Sequence, residues 1–271
     1  MVISGCRREL LRLLSENNIY SPSFEAGEII SFVMGRSCLP SEEVTDEQLS
    51  RMLEIAEKRA AGVPLQYIFG EWEFYGYPFY VGEGVLIPRP ETELLVDIAL
   101  KYCNKESKVL DLCSGTGCIP ISINLKTGAD CYAVELYDEA YGYLKRNIAL
   151  NNAKVTAIQA DALCEGLFSG AVFDAIFSNP PYLTAAEMEG LQKEVSYEPS
   201  TALFGGEDGL DFYRGIIALW SGRLTKGGIF AVETGETQGA AVSDIMRQNG
   251  LSTELIKDYS GLDRVVLGRR I

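Results

Sequence analysis

The chain has 271 residues, 47% of them hydrophobic and 23% charged, which leaves room for two modest domains and is the balance of a globular rather than a disordered protein. It contains no histidine, so Ser-His-Asp and Cys-His triads, zinc sites with imidazole ligands and imidazole general bases are all excluded. With 24 Lys+Arg against 38 Asp+Glu the formal charge is -14, an adverse field for binding duplex nucleic acid, and no basic cluster offsets it.

The first 60 or so residues read as helices. Leu10, Leu11, Leu13 and Leu14 recur at helical spacing. A second segment runs from Phe24 to Met34, with Ser23 placed to cap it and Gly35 to stop it. A third begins at Thr45-Asp46-Glu47-Gln48, where the threonine can cap and the glutamine reach back, and carries Leu49, Met52, Leu53 and Ala56 on one face. Composition changes at Gly62-Val63-Pro64, and the aromatic-rich stretch Tyr67–Val81, punctuated by glycine, reads as one or two short hairpins bridging two domains. In Ile87-Pro88-Arg89-Pro90-Glu91-Thr92-Glu93, Pro90 can open a helix running to about Tyr102.

From Lys108 onward, short apolar runs alternate with helical segments. The expected strands are Val109–Leu112, Cys131–Leu136, Val155–Ala160, Phe173–Ser178, Ile229–Glu233, Glu254–Lys257 and Val265–Gly268. Helices are expected near Ile119–Lys126, Asp138–Leu150, Phe212–Leu224 and Gln238–Asn249. The pattern is that of an α/β, doubly wound, mostly parallel seven-stranded sheet covered on both faces, with the last two strands too close in sequence to be anything but antiparallel. Seven scattered cysteines without a C-x-x-C pair suit reduced thiols, and no residue set reads as a metal site. Charges in the first nine residues and the lack of a long uncharged run lead to the expectation of a soluble cytoplasmic protein with no membrane partner.

Four strand ends carry the chemistry. Asp111-Leu112-Cys113-Ser114-Gly115-Thr116-Gly117 lies where a strand meets a helix, and its glycines allow close backbone approach to a ligand. As a dinucleotide fingerprint it fails, because Pro120 stands where the third glycine belongs, and there is no Lys-Ser/Thr pair for a phosphate loop. Glu135, about 20 residues on, ends the next strand where a carboxylate can accept from ribose hydroxyls; alone it reads better as a solvated charge. Asp161 with Ala162, after the third strand, can meet an adenine edge. Together these describe a nucleoside site with no phosphate grip.

The fourth is Asn179-Pro180-Pro181-Tyr182, after the apolar run Phe173–Ser178. Two consecutive prolines hold the preceding residues extended, fixing the directions of Asn179 and the Pro180 carbonyl. The Asn179 side-chain oxygen and the Pro180 backbone oxygen then form a pair of acceptors for the two N–H groups of a planar amide or amino group, and Tyr182 can pack on its flat face. An amide nitrogen is a poor nucleophile, so such a site works by orienting it toward an activated methyl donor. The combination indicates an S-adenosyl-L-methionine-dependent methyltransferase acting on a planar nitrogen.

Arg59–Gly70, Val85–Glu93, the Asn179–Tyr182 tetrad and Glu198-Pro199 through Gly205-Gly206-Glu207-Asp208-Gly209-Leu210 together resemble the release factor glutamine methyltransferases (PrmC/HemK), over nearly the whole chain. The resemblance implies methylation of the glutamine side-chain amide in the Gly-Gly-Gln loop of peptide chain release factors, with S-adenosyl-L-methionine as donor and S-adenosyl-L-homocysteine as product. It implies an N-terminal helical substrate-recognition domain over 1–65, a β-hairpin linker over 66–84 and a methyltransferase domain over 85–271. It places Cys113, Ser114, Gly115, Thr116 and Gly117 along the methionine part of the cofactor, Glu135 on the ribose, and Asp161 and Ala162 beside the adenine. Asn179 and Pro180 would hold the substrate amide, catalysis resting on them and on Tyr182. Pro181, Tyr182, Leu86 and Thr92 would shape the pocket. Two departures stand out: Cys113 occupies a position where the family often has glycine, and Ala162 one where some members carry a large aromatic, a possible loss of about 1 kcal/mol of stacking. Two alternatives remain open: a nucleic-acid amino-group methyltransferase, which needs a basic channel this chain lacks, and a catalytically silent cofactor-binding scaffold, which would predict a damaged tetrad or ribose carboxylate.

Overall fold

The apolar spacing of the first 60 residues becomes three helices in the computed structural model, which describes residues 1–271. Helix α1 (Ile3–Glu16) buries Ile3, Cys6, Leu10 and Leu14, three to four residues apart, as one helical face requires. Helix α2 (Pro22–Met34) has Ser21 rather than the expected Ser23 at its N-cap position, with no bond from the Ser21 side chain, because Pro22, with its φ preset and no N–H to satisfy, takes the first helical position. Ser23 lies inside the helix, where its hydroxyl and carbonyl accept from Arg7. Gly35 ends the helix in the left-handed conformation, at φ 70°.

Helix α3 (Asp46–Ala60) opens with the reciprocal cap read from the sequence: Gln48 N donates to Thr45 Oγ1 at 3.2 Å and Thr45 N to Gln48 Oε1 at 3.0 Å. With α4 (Leu65–Phe69) these helices enclose a core that includes Leu10, Leu14, Ile29 and Met52. The first compact unit comprises Met1–Gly70 together with Gln192–Tyr197. Arg59 is buried within it, donating from Nε to Glu25 Oε2 at 2.6 Å and pairing through its second nitrogen with Glu194.

The second unit, Glu71–Leu191 with Glu198–Ile271, begins with a single hairpin, β1 (Glu71–Phe74) and β2 (Tyr77–Tyr80). Its two-residue turn has both central residues at positive φ, Tyr75 at 54° and Gly76 at 79°, the geometry that matches strand twist. The hairpin clusters with this unit, because Tyr75 N donates to Glu93 Oε1 at 2.8 Å and Asn147 bonds both backbone groups of Tyr80. Pro90–Thr92 forms one 3-10 turn leading into α5 (Glu93–Tyr102).

Strand and helix then alternate: β3 (Lys108–Leu112), α6 (Cys118–Thr127), β4 (Asp130–Glu135), α7 (Asp138–Leu150), β5 (Val155–Gln159) and β6 (Phe173–Ser178). After a short α8 (Ala185–Glu189) come α9 (Asp211–Trp220), β7 (Leu224–Glu233), α10 (Gly239–Gln248), β8 (Leu251–Lys257) and β9 (Asp263–Arg270). Leu224, expected to end a helix, instead opens β7 and pairs with Phe173. Strand β4 stops one residue short of Leu136, whose N–H is taken by the Glu135 carboxylate at 2.9 Å.

The seven-stranded sheet has the order β5-β4-β3-β6-β7-β9-β8. The pairs from β5 to β7 are parallel and the two involving β9 antiparallel. Alternate residues face opposite layers: Val109, Phe177 and Ala231 join one core cluster, while Leu110, Ile176, Phe230 and Val232 join the other. The chain runs outward from β3 to β5 and then returns to place β6 on β3's other side. That reversal opens a crevice at the carboxyl ends of β3 and β6, where doubly wound sheets bind ligands.

Candidate active site

The register fixes which residues meet at that crevice. Leu112 pairs with Val134 and with Ser178, Glu135 with Gln159, and Ser178 with Val232. The Cys113 turn, Glu135, Asp161, Asn179 and Glu233 therefore follow or close adjacent strands along one edge. A cleft opens there, lined from all of these strand ends but that of Glu233, the place where an open α/β sheet takes a small molecule. Of the residues expected from sequence, Leu86, Thr92, Cys113, Ser114, Gly115, Thr116, Glu135, Asp161, Ala162, Asn179 and Pro181 line it. Three do not. Gly117 caps α6 at φ 80°, where an added Cβ would lie 2.4 Å from Leu144 Cδ1. Pro180 is buried, and Tyr182 is partly buried against the core cluster that contains Tyr213 and Val232.

The glycine turn is held by its neighbours. Ser114 N donates to Val134 O at 3.0 Å, Gly117 N to Ser114 O at 2.7 Å, and Gly115 N to Glu135 Oε2 at 2.8 Å. The other Glu135 oxygen accepts from Leu136 N at 2.9 Å and Tyr137 N at 3.0 Å. Three of the carboxylate's roughly four acceptor positions are thus occupied, so Glu135 both shapes the turn and retains one position for a ligand. Asn147, fully buried on α7, donates to Thr116 O at 2.9 Å while bonding Tyr80, tying the turn to the hairpin. Asp111 is fully buried with neither carboxylate oxygen hydrogen-bonded. Burial pushes its pKa well above the carboxylate range, Ser114 partly opposing and Glu135 adding to the shift.

The Asn-Pro-Pro-Tyr segment is buttressed from below. Tyr182 N and Leu183 N donate to Leu203 O at 3.1 and 2.8 Å, Gly205 N to Leu183 O at 2.8 Å, and Gln238 Nε2 to Tyr182 O at 2.9 Å. A Cβ on Gly205 would sit 2.7 Å from both Pro181 O and Tyr182 Cα, and one on Gly209 would lie 2.3 Å from Tyr182 O. Gly205 and Gly209 are there for close approach to the tetrad. Burial, followed by the nearby Glu233, pushes the Tyr182 hydroxyl pKa up, so the phenol stays protonated.

Sequence reasoning gave no role of their own to four buried side chains at this edge. Glu198, buried, accepts from Ile87 N at 3.0 Å and pairs with Arg89, holding the Ile87–Glu93 segment. Asn147 and Asp111 are the second and third. The fourth is Glu233, which closes β7 and accepts from Thr92 Oγ1 at 2.6 Å. Its position, a carboxylate ending an apolar strand, is the same signal that singled out Glu135.

Two stretches of the chain match known families. Residues 6–70 match the PrmC N-terminal domain and residues 90–196 the methyltransferase small domain. The release factor glutamine methyltransferase of Thermodesulfovibrio yellowstonii is 39% identical over 90% of this chain and 91% of its own. The chain belongs to the release factor glutamine methyltransferase family. The enzyme of that name from Clostridium botulinum is 36% identical over the whole of both chains. Among solved structures, a methyltransferase from Pyrococcus furiosus, 18% identical, covers 83% of this chain and 99% of its own with a TM-score of 0.55, a likeness of fold.

Against the family pattern, Cys113 adopts φ 60°, the left-handed region that glycine enters freely and that costs another residue roughly 1–2 kcal/mol. The backbone a glycine would adopt is kept, and the cysteine bears the strain. Ala162 is nearly buried on the cleft wall, its carbonyl accepting from Trp220 Nε1 at 2.8 Å.

Proposed function

We propose that this protein methylates the side-chain amide nitrogen of the glutamine in the Gly-Gly-Gln motif of peptide chain release factors. The observation that carries the reading is Asn179 on the cleft wall, at the crossover between β3 and β6, with its amide nitrogen donating to Thr92 Oγ1 at 3.3 Å. That leaves Oδ1 as an acceptor for a substrate amide, the Pro180 carbonyl being the second. The names of the relatives support glutamine as the group presented there.

The cleft suits S-adenosylmethionine. Glu135 and Asp161 line it, while its one cationic wall residue, Arg89, is engaged by Glu198. Acidic walls without a free cation match a sulfonium nucleoside and mismatch a phosphate-bearing nucleotide. Cys113–Thr116 would lie along the methionine part, Glu135 would take a ribose hydroxyl through its remaining acceptor position, and Asp161 and Ala162 would border the adenine. When bound, S-adenosylmethionine supplies the electrophilic methyl carbon.

The chain's own part in the reaction is orientation. Asn179 Oδ1 accepts one amide N–H group, and the carbonyl of Pro180, a residue outside the cleft lining, is assigned the other; the pair holds the nitrogen with its face toward the methyl donor, and this alignment substitutes for a strong nucleophile. Hydrogen bonds to the N–H groups strengthen as positive charge develops on nitrogen. The helical unit, of which residues 6–70 match the PrmC N-terminal domain in sequence, grips the release factor outside the loop. No helix is long and apolar enough to cross a membrane, and the net charge of -14 disfavours a nucleic-acid substrate.

The test is to incubate the protein with S-adenosylmethionine and an unmethylated release factor and to read the Gly-Gly-Gln peptide by tandem mass spectrometry. One methyl on the glutamine amide is expected. An unmodified peptide, with cofactor bound and release factor folded, would refute the substrate reading.

A further inference from the structure

Resting on the reading of Asn179 as the holder of the substrate amide, we infer that Glu233, acting through the Thr92 hydroxyl, sets which end of the Asn179 amide faces the substrate. The three groups form a line: Thr92 Oγ1 donates to Glu233 Oε2 at 2.6 Å, and Asn179 Nδ2 donates to Thr92 Oγ1 at 3.3 Å. Thr92 and Glu233 are 2% and 1% exposed, so water does not compete for either group.

The polarity follows from counting protons. A threonine hydroxyl has one proton and two acceptor positions, whereas a carboxylate only accepts. The single Thr92 proton must go to Glu233, and Thr92 then offers Asn179 nothing but lone pairs. Asn179 answers with its NH₂ group and turns Oδ1 the other way. An amide substrate presents two N–H donors, so an acceptor must face it. Without the carboxylate, the Thr92 proton is free to seek Asn179 Oδ1. The amide then flips, and NH₂ faces NH₂. Glu233 touches neither substrate nor cofactor in this scheme; it is a positioning residue.

The line also carries a proton-dependent consequence. Burial, opposed by the Thr92 hydrogen bond, pushes Glu233 up to about 7. The groups that face it are Arg264 from β9, Arg89 and Glu91 from the segment before α5, Tyr182 after β6, Tyr213 on α9 and Cys118 on α6. The phenols of Tyr182 and Tyr213 and the Cys118 thiol are all pushed up and are neutral near pH 7, so none of the three takes up or releases a proton as Glu233 does. A protonated Glu233 donates to Thr92 and releases the threonine proton toward Asn179. The competent polarity is therefore present above pH 7 and lost as pH falls through it.

The test compares wild type with Thr92→Val, Thr92→Ser and Glu233→Gln, measuring methyl transfer to a release factor from pH 6 to pH 9 together with S-adenosylmethionine affinity by calorimetry. Thr92→Val is expected to lower kcat by roughly 10- to 100-fold with cofactor Kd within twofold of wild type, and Thr92→Ser to restore most of that loss. Glu233→Gln, whose amide can donate as well as accept, is expected to lose rate at pH 8.5 and to lose the acid limb expected of wild type. Wild-type kcat in Thr92→Val, or an unchanged acid limb in Glu233→Gln, overturns the inference while leaving the glutamine substrate standing. A general fall in cofactor affinity and melting temperature, with Thr92→Ser no better than Thr92→Val, shows a structural role and also overturns it. Failure of the wild type itself to methylate the glutamine overturns the substrate reading, and this one with it.

Discussion

Gly205→Ala is the sharpest test of how the tetrad is held, because the added methyl has nowhere to go and the backbone there needs no special φ. Its Cβ would stand 2.7 Å from Pro181 O, 2.7 Å from Tyr182 Cα and 3.0 Å from Gly209 O, all backbone atoms. To restore an ordinary contact of 3.4 Å, the loop and the tetrad must part by about 0.7 Å, since repulsion rises steeply inside contact distance. That movement pulls on the hydrogen bonds from Gly205 N to Leu183 O and from Leu183 N to Leu203 O, both 2.8 Å. Overpacking of this kind costs ~1–3 kcal/mol, a fall in Tm of several degrees at roughly 2–4 °C per kcal/mol. A shift approaching 1 Å in a group that orients substrate costs up to about 100-fold in rate, so kcat should fall roughly 10- to 100-fold. Cofactor affinity should not change, because the Cys113 turn is held by Val134 and Glu135. Methylation kinetics read by mass spectrometry, a thermal melt and cofactor calorimetry on one preparation decide it. Wild-type turnover with an unshifted Tm would refute the close-packing argument.

Asn179→Ala should cut turnover by roughly 10²-fold or more while leaving cofactor binding in place; unchanged turnover would remove Asn179 from its assigned role. Glu135→Ala should weaken S-adenosylmethionine at least about tenfold, as expected for loss of a charged hydrogen-bond acceptor, and normal affinity by calorimetry would show the ribose assignment to be wrong. Arg59→Ala strips Glu25 and Glu194 of their shared cation and should destabilise the helical unit by roughly 2–4 kcal/mol in denaturant titration, below the fully buried case because Glu194 is 35% exposed. The pH profile of Glu233→Gln should lack the acid limb near pH 7 expected of wild type, because the carboxylate pushed up to about 7 by burial is the form that fixes the Asn179 amide.

Local physics made most of the fold legible. The Thr45 cap, the Gly35 stop and the Asp138–Leu150 helix each rest on a few neighbouring residues, and each is found where the sequence puts it. Apolar strands buried on both faces stand out because nothing interrupts them, which is why Phe173–Ser178 was bounded to the residue. The misses arise where a side chain competes with a local preference. Ser23 has the right chemistry for a cap, but Pro22 fixes the backbone first. Leu224 has a helical neighbourhood, but its pairing with Phe173 is a contact between residues 51 apart in the chain, invisible to any window.

The site divides along the same line, and the division explains why a motif is recognised sooner than its support. The residues proposed to meet ligand sit at strand ends, where a polar side chain after an apolar run is conspicuous, so Glu135, Asp161 and Asn179 could be picked out as a set. Their supports, Asn147, Glu198 and Glu233, are buried polar groups whose partners lie 31, 111 and 141 residues away. Nothing in their own neighbourhoods says that a partner exists. Glu233 nevertheless ends an apolar strand as Glu135 does, and the doubly wound order places its strand beside that of Asn179. Once a sheet of this topology is expected, a carboxylate ending the strand next to the substrate loop is a candidate for holding that loop. The glycines at 205 and 209 illustrate the converse: their spacing marks a turn, but only the carbonyls of Pro181 and Tyr182 pressed against them explain why no larger residue can stand there.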